Sequence, residues 1–242
     1  MKIYKRQWWL VAVISLSLFP HLPLAQASEL ELYTGASVDT RGQGFEYFGL
    51  GLGQPLDDHW TFMGKLMGNF LHYKYESDSK LISATAPGVR FQIGPKYVGE
   101  GRYFILTGGL DYRNTALNRN DPKSTTQGGK TGGTVEAIYS QDIVDRITMD
   151  FIINFSSIGN FTWGRGRIKY LTFVTPGSQK LFFGIEGIGQ GNNDYRAQQV
   201  GPIFELQRLK EQFSIVLGAG YKHSSSFSRS AYFGLELYYK VW

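Results

Sequence analysis

The chain of 242 residues has 42% hydrophobic, 15% aromatic and only 19% charged side chains, with 30 glycines, no cysteine and a net charge of +5. A soluble domain usually has about 25% charged residues and about 7% glycine, so this chain is poor in charge and rich in glycine. The lack of cysteine excludes a disulfide framework, a thiol nucleophile and a cysteine-based zinc or iron–sulfur site.

The first residues are typical of a secretory signal peptide. Three basic residues precede an apolar segment at residues 8–18, and an A-x-A cleavage site ends at Ala27. We therefore predict a signal peptide at residues 1–27 and a mature domain at residues 28–242. Without the three basic residues the net charge falls to about +2, which does not indicate a nucleic-acid partner.

From Ser28 onward, apolar and polar residues alternate with a period of two, the pattern of β-strands with one apolar face. In residues 147–155, for example, isoleucine, methionine and phenylalanine alternate with threonine, aspartate and asparagine along most of the segment. No segment keeps a helical period for three turns. The pattern predicts an all-β chain.

The predicted strands are separated by eleven connections, in which shorter and longer or more polar ones alternate. The shorter ones lie at residues 55–58, 98–101, 143–145, 176–178 and 210–211, and the others at residues 40–43, 76–80, 118–133, 157–160, 190–194 and 224–230. This gives about twelve strands, within a range of ten to fourteen. Short turns on the side of both termini are typical of outer-membrane barrels, whose strands need about 9 to 11 residues to cross the bilayer.

Charged residues in the middle of strands favour a membrane barrel over a soluble β-sandwich. Residues 165–169 and 184–186 place charges opposite aliphatic side chains. A spanning barrel can point such charges into its lumen, whereas the buried face of a sandwich must be apolar. We predict a transmembrane antiparallel up-and-down β-barrel in the bacterial outer membrane, with a periplasmic sandwich as the alternative.

The strand parity predicts a polar lumen lined by charges of both signs. The predicted inward charges are Glu46, Lys65, Arg90, Asp111, Arg113, Glu136, Asp150, Arg165, Arg167, Lys169, Glu186, Glu205, Lys222 and Glu236. Among them, together with Trp163, the candidates for glycan binding are Arg90, Asp150, Arg165, Arg167, Lys169, Glu186 and Glu205. Two interpretations stay open: a self-paired network that fills the barrel, or a path for ions or a glycan. Inward glycines would make room for large side chains opposite them.

One alternative is an outer-membrane hydrolase that acts on lipid A or phospholipid. His223 and Ser225 have a His-x-Ser spacing, and Glu236 could orient the histidine. However, His223 shares its parity with the lipid-facing Tyr221, and Glu236 is expected to pair near Gly218, roughly 17 Å from His223 along the strand. We therefore predict no catalytic residues, no metal and no cofactor.

Most of the mature chain resembles a known family, most strongly between Phe161 and Tyr221. The residues that carry the resemblance are Trp163-Gly164-Arg165-Gly166-Arg167, Phe183-Gly184-Ile185-Glu186-Gly187, Gly201-Pro202-Ile203-Phe204 and Leu217-Gly218-Ala219-Gly220-Tyr221. They are similar to the cellulose biosynthesis protein BcsS family. The resemblance implies an exported outer-membrane β protein, associated with bacterial cellulose synthesis and without established catalytic residues.

Together, the parity and the resemblance predict a non-enzymatic outer-membrane barrel in cellulose or exopolysaccharide biosynthesis or export. It would act as a glycan passage or as an envelope scaffold. The expected partners are outer-membrane lipid, cellulose or another polysaccharide, and components of the cellulose synthase. The other possibilities are the hydrolase above and a general structural or adhesive barrel.

Overall fold

The computed structural model describes residues 29–192, 195–208 and 212–241, and these form twelve strands. The strands are β1 (Glu29–Asp39), β2 (Gly44–Pro55), β3 (Trp60–Ser77), β4 (Lys80–Gly99), β5 (Arg102–Leu117), β6 (Gly128–Val144), β7 (Ile147–Ser156), β8 (Phe161–Val174), β9 (Gln179–Gly191), β10 (Arg196–Arg208), β11 (Phe213–Ser224) and β12 (Ser230–Lys240). A short 3₁₀ helix at Ile158–Asn160 joins β7 to β8. The predicted signal peptide and the predicted turn at residues 210–211 lie outside the described residues.

The strands form one closed barrel in which each strand pairs antiparallel with the next. The ring closes where β12 pairs with β1, with Glu31 opposite Lys240 and Val38 opposite Phe233. Closure leaves no strand edge unpaired, which a sheet surrounded by lipid requires. The predicted all-β up-and-down barrel and its strand number of about twelve are confirmed.

One end of the barrel carries the predicted longer connections, and we call it the loop end. It differs from the sequence prediction in two places. Between β3 and β4 the turn is only two residues long, and both Asp78 and Ser79 have positive φ, as tight hairpin turns require. The predicted loop at residues 118–133 is shorter, because its glycine-rich second half pairs with β5, from Thr115 opposite Gly128 to Leu110 opposite Gly133.

The outward face of the barrel is an apolar belt, and the inward face is polar. Large exposed side chains on the outside include Phe48, Phe91, Leu110, Ile153, Phe183, Ile185 and Phe233. So large an apolar surface is stable only in contact with lipid or a partner. An apolar outside around a polar inside is the architecture of an outer-membrane barrel, which confirms the predicted location.

The prediction that Glu46 faces inward is wrong. Its neighbours Phe45 and Tyr47 face the lumen, where their rings stack at 5.5 Å, and the Glu46 side chain is exposed on the outside. Glu46 lies three residues from the loop at residues 40–43. At that level an outward charge reaches the polar headgroup layer rather than the hydrocarbon core, so the alternation of apolar residues does not apply.

The wall of the barrel is uneven in height. Strands β3 to β6 contain 18, 20, 16 and 17 residues, whereas β7 contains 10 and β12 contains 11. Since a tilted strand of about 9 to 11 residues crosses the bilayer, the longer strands extend beyond it. The loop between β5 and β6 folds against this extension through Asn118, whose side chain accepts a hydrogen bond from the Ser83 backbone at 2.9 Å.

Candidate functional site

The lumen contains a cavity of about 1080 Å³ that runs between the two ends of the barrel. All the residues chosen above as glycan-binding candidates line it: Arg90, Asp150, Trp163, Arg165, Arg167, Lys169, Glu186 and Glu205. Period-two alternation places them there, since successive side chains of a strand point to opposite faces. Their binding of a glycan stays a prediction.

The largest ion-pair cluster joins β8 to β12 across the lumen. Nε of Arg167 donates to Glu186 at 2.6 Å, and another guanidinium nitrogen donates to Glu236 at 2.7 Å. Arg165 also pairs with Glu236, and its guanidinium lies 5.6 Å from the centre of the Trp163 ring. Glu236 is four strands away from β8 around the ring, so these bonds reach across the barrel rather than along one wall.

A second cluster is centred on Lys169. Its ammonium group contacts Asp150 at 2.6 Å and Glu205 at 2.7 Å. Glu205 also accepts hydrogen bonds from Gln207 and Ser214, each at 2.8 Å. Two carboxylates for one ammonium leave this part of the wall with a negative balance, partly offset by neutral donors.

A third cluster binds the first strand to β4 and to the last strand. Lys96 contacts Glu29 at 2.9 Å and Glu31 at 2.6 Å, and Lys240 contacts Glu29 at 3.0 Å. Lys240 lies on β12, so one of these pairs crosses the seam where the ring closes. The charges therefore support closure as well as filling the lumen.

Two smaller groups occupy the wall formed by β3 to β6. Lys65 pairs with Glu136. Arg90 and Arg113 lie 3.5 Å and 3.4 Å from the same oxygen of Asp111. A buried charge is costly without a partner, and these pairs compensate much of the charge in the lumen.

Aromatic contacts cross the loop end of the barrel. The rings of Tyr73 and Tyr195 lie 5.8 Å apart, although β3 and β10 are five strands apart around the ring. The Tyr195 hydroxyl donates to Gln43 at 2.6 Å, and the Tyr73 hydroxyl lies 3.2 Å from the Thr126 hydroxyl. Gln43, Thr126 and Tyr195 are buried. Local sequence patterns could not predict these contacts, because they join four segments that are distant along the chain.

Asp121 anchors one of these loops. Its carboxylate accepts hydrogen bonds from the Tyr75 hydroxyl at 2.8 Å and from the Lys123 backbone at 3.1 Å. Burial raises the pKa of the Asp121 carboxyl, but the hydrogen bonds outweigh burial and hold that pKa below its ordinary value. The charged form of Asp121 therefore stabilises the folded loop.

The cavity also reaches the opposite end of the barrel, called the turn end because its connections are the short turns. The cavity there is rimmed by side chains of the short turns, among them the exposed Asp57 and His59. Backbone N–H groups of His59 and Trp60 donate to Asp57 at 2.8 Å each, which lowers the pKa of the Asp57 carboxyl. Short turns face the periplasm in outer-membrane barrels, so we assign this mouth to the periplasm.

The residues of the hydrolase alternative are not brought together. His223 is exposed on the outside, and its Nδ1 lies 2.6 Å from the Ser228 carbonyl oxygen, whereas Glu236 lies in the lumen. Ser225 bonds the Arg196 backbone instead. Glu236 is opposite Val216, two residues from the predicted position.

Within residues 29–192, 195–208 and 212–241, no helix has the length and apolar character needed to cross a membrane. In the same residues, no group of three or more His, Asp or Glu side chains is arranged to hold a metal ion.

Several solved barrels are similar to this chain in fold. The β domain of the Bordetella autotransporter BrkA is 12% identical, with 88% of this chain and 99% of that chain covered and a TM-score of 0.54. The translocator domain of autotransporter NalP from Neisseria meningitidis is 10% identical, with 98% and 94% covered and a TM-score of 0.47. The CymD monoaromatic hydrocarbon channel is 7% identical, with 90% and 89% covered and a TM-score of 0.43. At such identities, the likeness to the BrkA domain concerns the fold alone.

The match to a family sequence model is more specific than the likeness in fold. No curated protein matches the chain. The sequence model of the family described as cellulose biosynthesis protein BcsS matches residues 22–241, which is nearly the whole chain. The match includes all twelve strands, so the resemblance predicted from the glycine and aromatic motifs is confirmed. This chain belongs to the cellulose biosynthesis protein BcsS family.

Proposed function

We propose that this barrel is a non-enzymatic envelope scaffold for cellulose production, with a lumen that is open to the periplasm and closed at the cell surface. The observation that carries the proposal is the contact between Tyr73 and Tyr195, which spans the loop end at 5.8 Å between ring centres. A glucan chain leaving the cell would have to separate these rings. The contact therefore favours a scaffold over a passage.

The charges of the lumen support the same function. The pairs from Arg165 and Arg167 to Glu236 cross the interior between β8 and β12. Breaking a buried pair costs several kcal/mol, about 3 to 5 when one partner is lost. A polymer that moved through the lumen would have to displace these bonds repeatedly. The cluster instead links distant strands and stabilises the shape of the barrel.

A role without catalysis agrees with the placement of the histidine. His223 faces the lipid side and uses Nδ1 on a backbone carbonyl, so it has neither Ser225 nor Glu236 within hydrogen-bond reach. A serine hydrolase needs its nucleophile, base and orienting group in contact. We expect the scaffold to bind outer-membrane lipid through its apolar belt and cellulose synthase components through its periplasmic turns.

Conductance across planar bilayers tests the closed state. We expect the wild-type barrel to show no sustained conductance and the Tyr73→Ala/Tyr195→Ala variant to show it. The Tyr112→Ala/Tyr170→Ala variant is the matched control, since both of these tyrosines are exposed on the outside. Sustained wild-type conductance that cello-oligosaccharides block would contradict the scaffold and support a passage.

Cellulose production tests the link to the pathway. Deleting the gene should lower cellulose, measured by staining and by enzymatic glucose release, and the wild-type gene should restore it. The His223→Ala variant should restore it equally well, with unchanged lipid A in mass spectra. A loss of complementation by His223→Ala together with altered lipid A would favour the hydrolase.

A further inference from the structure

The inner wall formed by β3, β4 and β5 carries a group of polar side chains that the proposed function does not use. Strand pairing places Asn69 opposite Gly88, and Gly88 opposite Arg113. In the next row toward the turn end, Arg90 is opposite Asp111. The third row holds Gln92, opposite Lys65 and Gly109. We call Asn69, Arg90, Gln92 and Arg113 the β3–β5 patch.

The four side chains of the β3–β5 patch line the cavity, and each is more than nine-tenths buried. Among the described residues, polar atoms on all four have no hydrogen-bond partner: Asn69 Nδ2 and Oδ1, Arg90 Nε, Gln92 Nε2 and Arg113 Nε; Oδ1 of the neighbouring Asp111 has none either. Buried polar groups are normally bonded, because leaving them without a partner costs free energy. Most of these atoms are donors, so the patch favours a ligand rich in acceptors.

The charge of the patch points to an anion. Arg90 and Arg113 share one carboxylate, that of Asp111, which also accepts a hydrogen bond from Ser156 at 2.7 Å. Asp111 has no exposed surface and lies behind the two guanidinium groups. Two guanidinium groups against one carboxylate leave one positive charge without compensation.

Among the described residues, no carboxylate other than that of Asp111 contacts Arg90 or Arg113. Lys65, in the third row, has its own partner in Glu136. On the opposite side of the lumen, Arg165 and Arg167 share Glu186 and Glu236. An uncompensated charge in such surroundings is costly unless a ligand neutralises it.

The cavity that the patch lines is the space for a ligand. Gly88 and Gly109 let the strands pack closely: an added Cβ on Gly109 would lie 1.9 Å from the Phe91 carbonyl oxygen, and one on Gly88 would lie 2.9 Å from the Asn69 amide oxygen. The Arg113 guanidinium lies 5.7 Å from the centre of the Phe161 ring, which supports its plane from one side. A guanidinium held in a fixed plane is suited to binding a small oxyanion group at the wall.

We propose that the β3–β5 patch binds an oxyanion group, a carboxylate or a phosphate, on a ligand that enters from the periplasm. Arg90 and Arg113 supply charge-assisted hydrogen bonds, and the amides of Asn69 and Gln92 donate to the remaining oxygens. Asp111 is a positioning residue that orients both guanidinium groups from behind. The inference goes beyond the proposed function, because binding to the solubilised barrel requires neither a closed loop end nor cellulose production.

Isothermal titration calorimetry on the barrel extracted from outer membranes into a zwitterionic detergent tests the proposal. The probes are sodium glucuronate for a carboxylate, inorganic phosphate for a phosphate, and cellobiose for a neutral sugar. The variants are Arg90→Gln, which leaves Arg113 and Asp111 balanced, and Asn69→Ala, which changes no charge. Arg196→Gln removes an exposed arginine of β10 and is the control. Heat-modifiable electrophoretic mobility shows that each variant is folded.

We expect one of the two anions to bind, and the one that binds better identifies the ligand chemistry. Its affinity should fall about tenfold or more in Arg90→Gln, which removes one charge-assisted hydrogen bond, and measurably in Asn69→Ala. The affinity of Arg196→Gln should not change, and cellobiose should not compete. The proposal is overturned if neither anion binds the wild type, if folded Arg90→Gln and Asn69→Ala keep wild-type affinity, or if cellobiose competes equally well.

Discussion

Tyr33 on β1 lies directly opposite Gly49 on β2, and its ring fills the space that a side chain at position 49 would need. The arrangement is repeated along the same strand pair, where the Tyr47 ring lies 2.7 Å from the position of a Cβ on Gly35. The two tyrosine rings are 6.3 Å apart. As predicted from the alternating glycines, the absence of a side chain on one strand makes room for a large one on its neighbour.

This relationship predicts that Gly49→Ala destabilises the barrel. The new methyl group would collide with the Tyr33 ring, and overpacking of this kind typically costs about 1 to 3 kcal/mol. Urea titration in detergent, followed by intrinsic fluorescence, measures the free energy of unfolding. Gly64→Ala is the matched control on β3, because no atom lies within 4 Å of its added Cβ. Equal losses in both variants would contradict the steric explanation, and Tyr33→Ala should relieve the loss in Gly49→Ala.

We predict a larger loss of stability when the charge of Arg167 is removed. In Arg167→Met, Glu186 loses its closest partner and Glu236 keeps only Arg165. Removing one partner of a buried pair costs about 3 to 5 kcal/mol, toward the lower end where water reaches the lumen. The same urea titration measures it, with Arg146→Met in an exposed turn as the control. A loss no larger than that of the control would show that the cluster does not support the barrel.

The apolar belt predicts that the outer face of the wall tolerates a lysine less well than the inner face. Ile185 lies in the middle of β9 and is exposed on the outside, whereas Ile138 on β6 lines the lumen. A lysine at the bilayer midplane on the lipid face costs about 2 to 4 kcal/mol. We therefore expect Ile185→Lys to fold less efficiently into lipid vesicles than Ile138→Lys, by electrophoretic mobility. The reverse order would contradict the assignment of the faces.

The loop anchored by Asp121 is expected to loosen in acid. The pKa of this carboxyl is lower in the folded loop than its usual value of about 3.9. Its stabilising effect is thus complete above that value and is lost as the pH falls through the folded pKa. Hydrogen-exchange protection of residues 118–127 should fall over this interval. Asp121→Asn keeps an acceptor for Tyr75 but does not titrate, so its protection should stay constant, and an equal fall would exclude Asp121 as the cause.

The sequence predicts most of the wall, because the parity of a strand is a local property. Lys65, Arg90 and Lys222 are assigned to the lumen from alternation alone, and the structure places them there. The prediction for Glu46 is wrong because the alternation of apolar and polar residues holds only within the hydrocarbon core. The periodic pattern carries no information on the depth of a residue in the bilayer.

The contact across the loop end could not be predicted in the same way. Tyr73 and Tyr195 are separated by more than a hundred residues in sequence, and neither has a spacing that indicates the other. The β3–β5 patch is an intermediate case. Asn69 shares the parity of Lys65, and Gln92 that of Arg90, so their direction could be read from the chain, but their lack of partners follows only from the pairing register.

The position of Glu236 and Lys240 on β12 has a consequence for biogenesis. Until the last strand is in place, Arg165 and Arg167 on β8 have only Glu186 between them, and Glu29 on β1 lacks Lys240. Ring closure therefore also completes the ion pairs of Arg165, Arg167 and Glu29. We expect a barrel without its final strand to fold less efficiently, because its charges as well as its open edge lack partners.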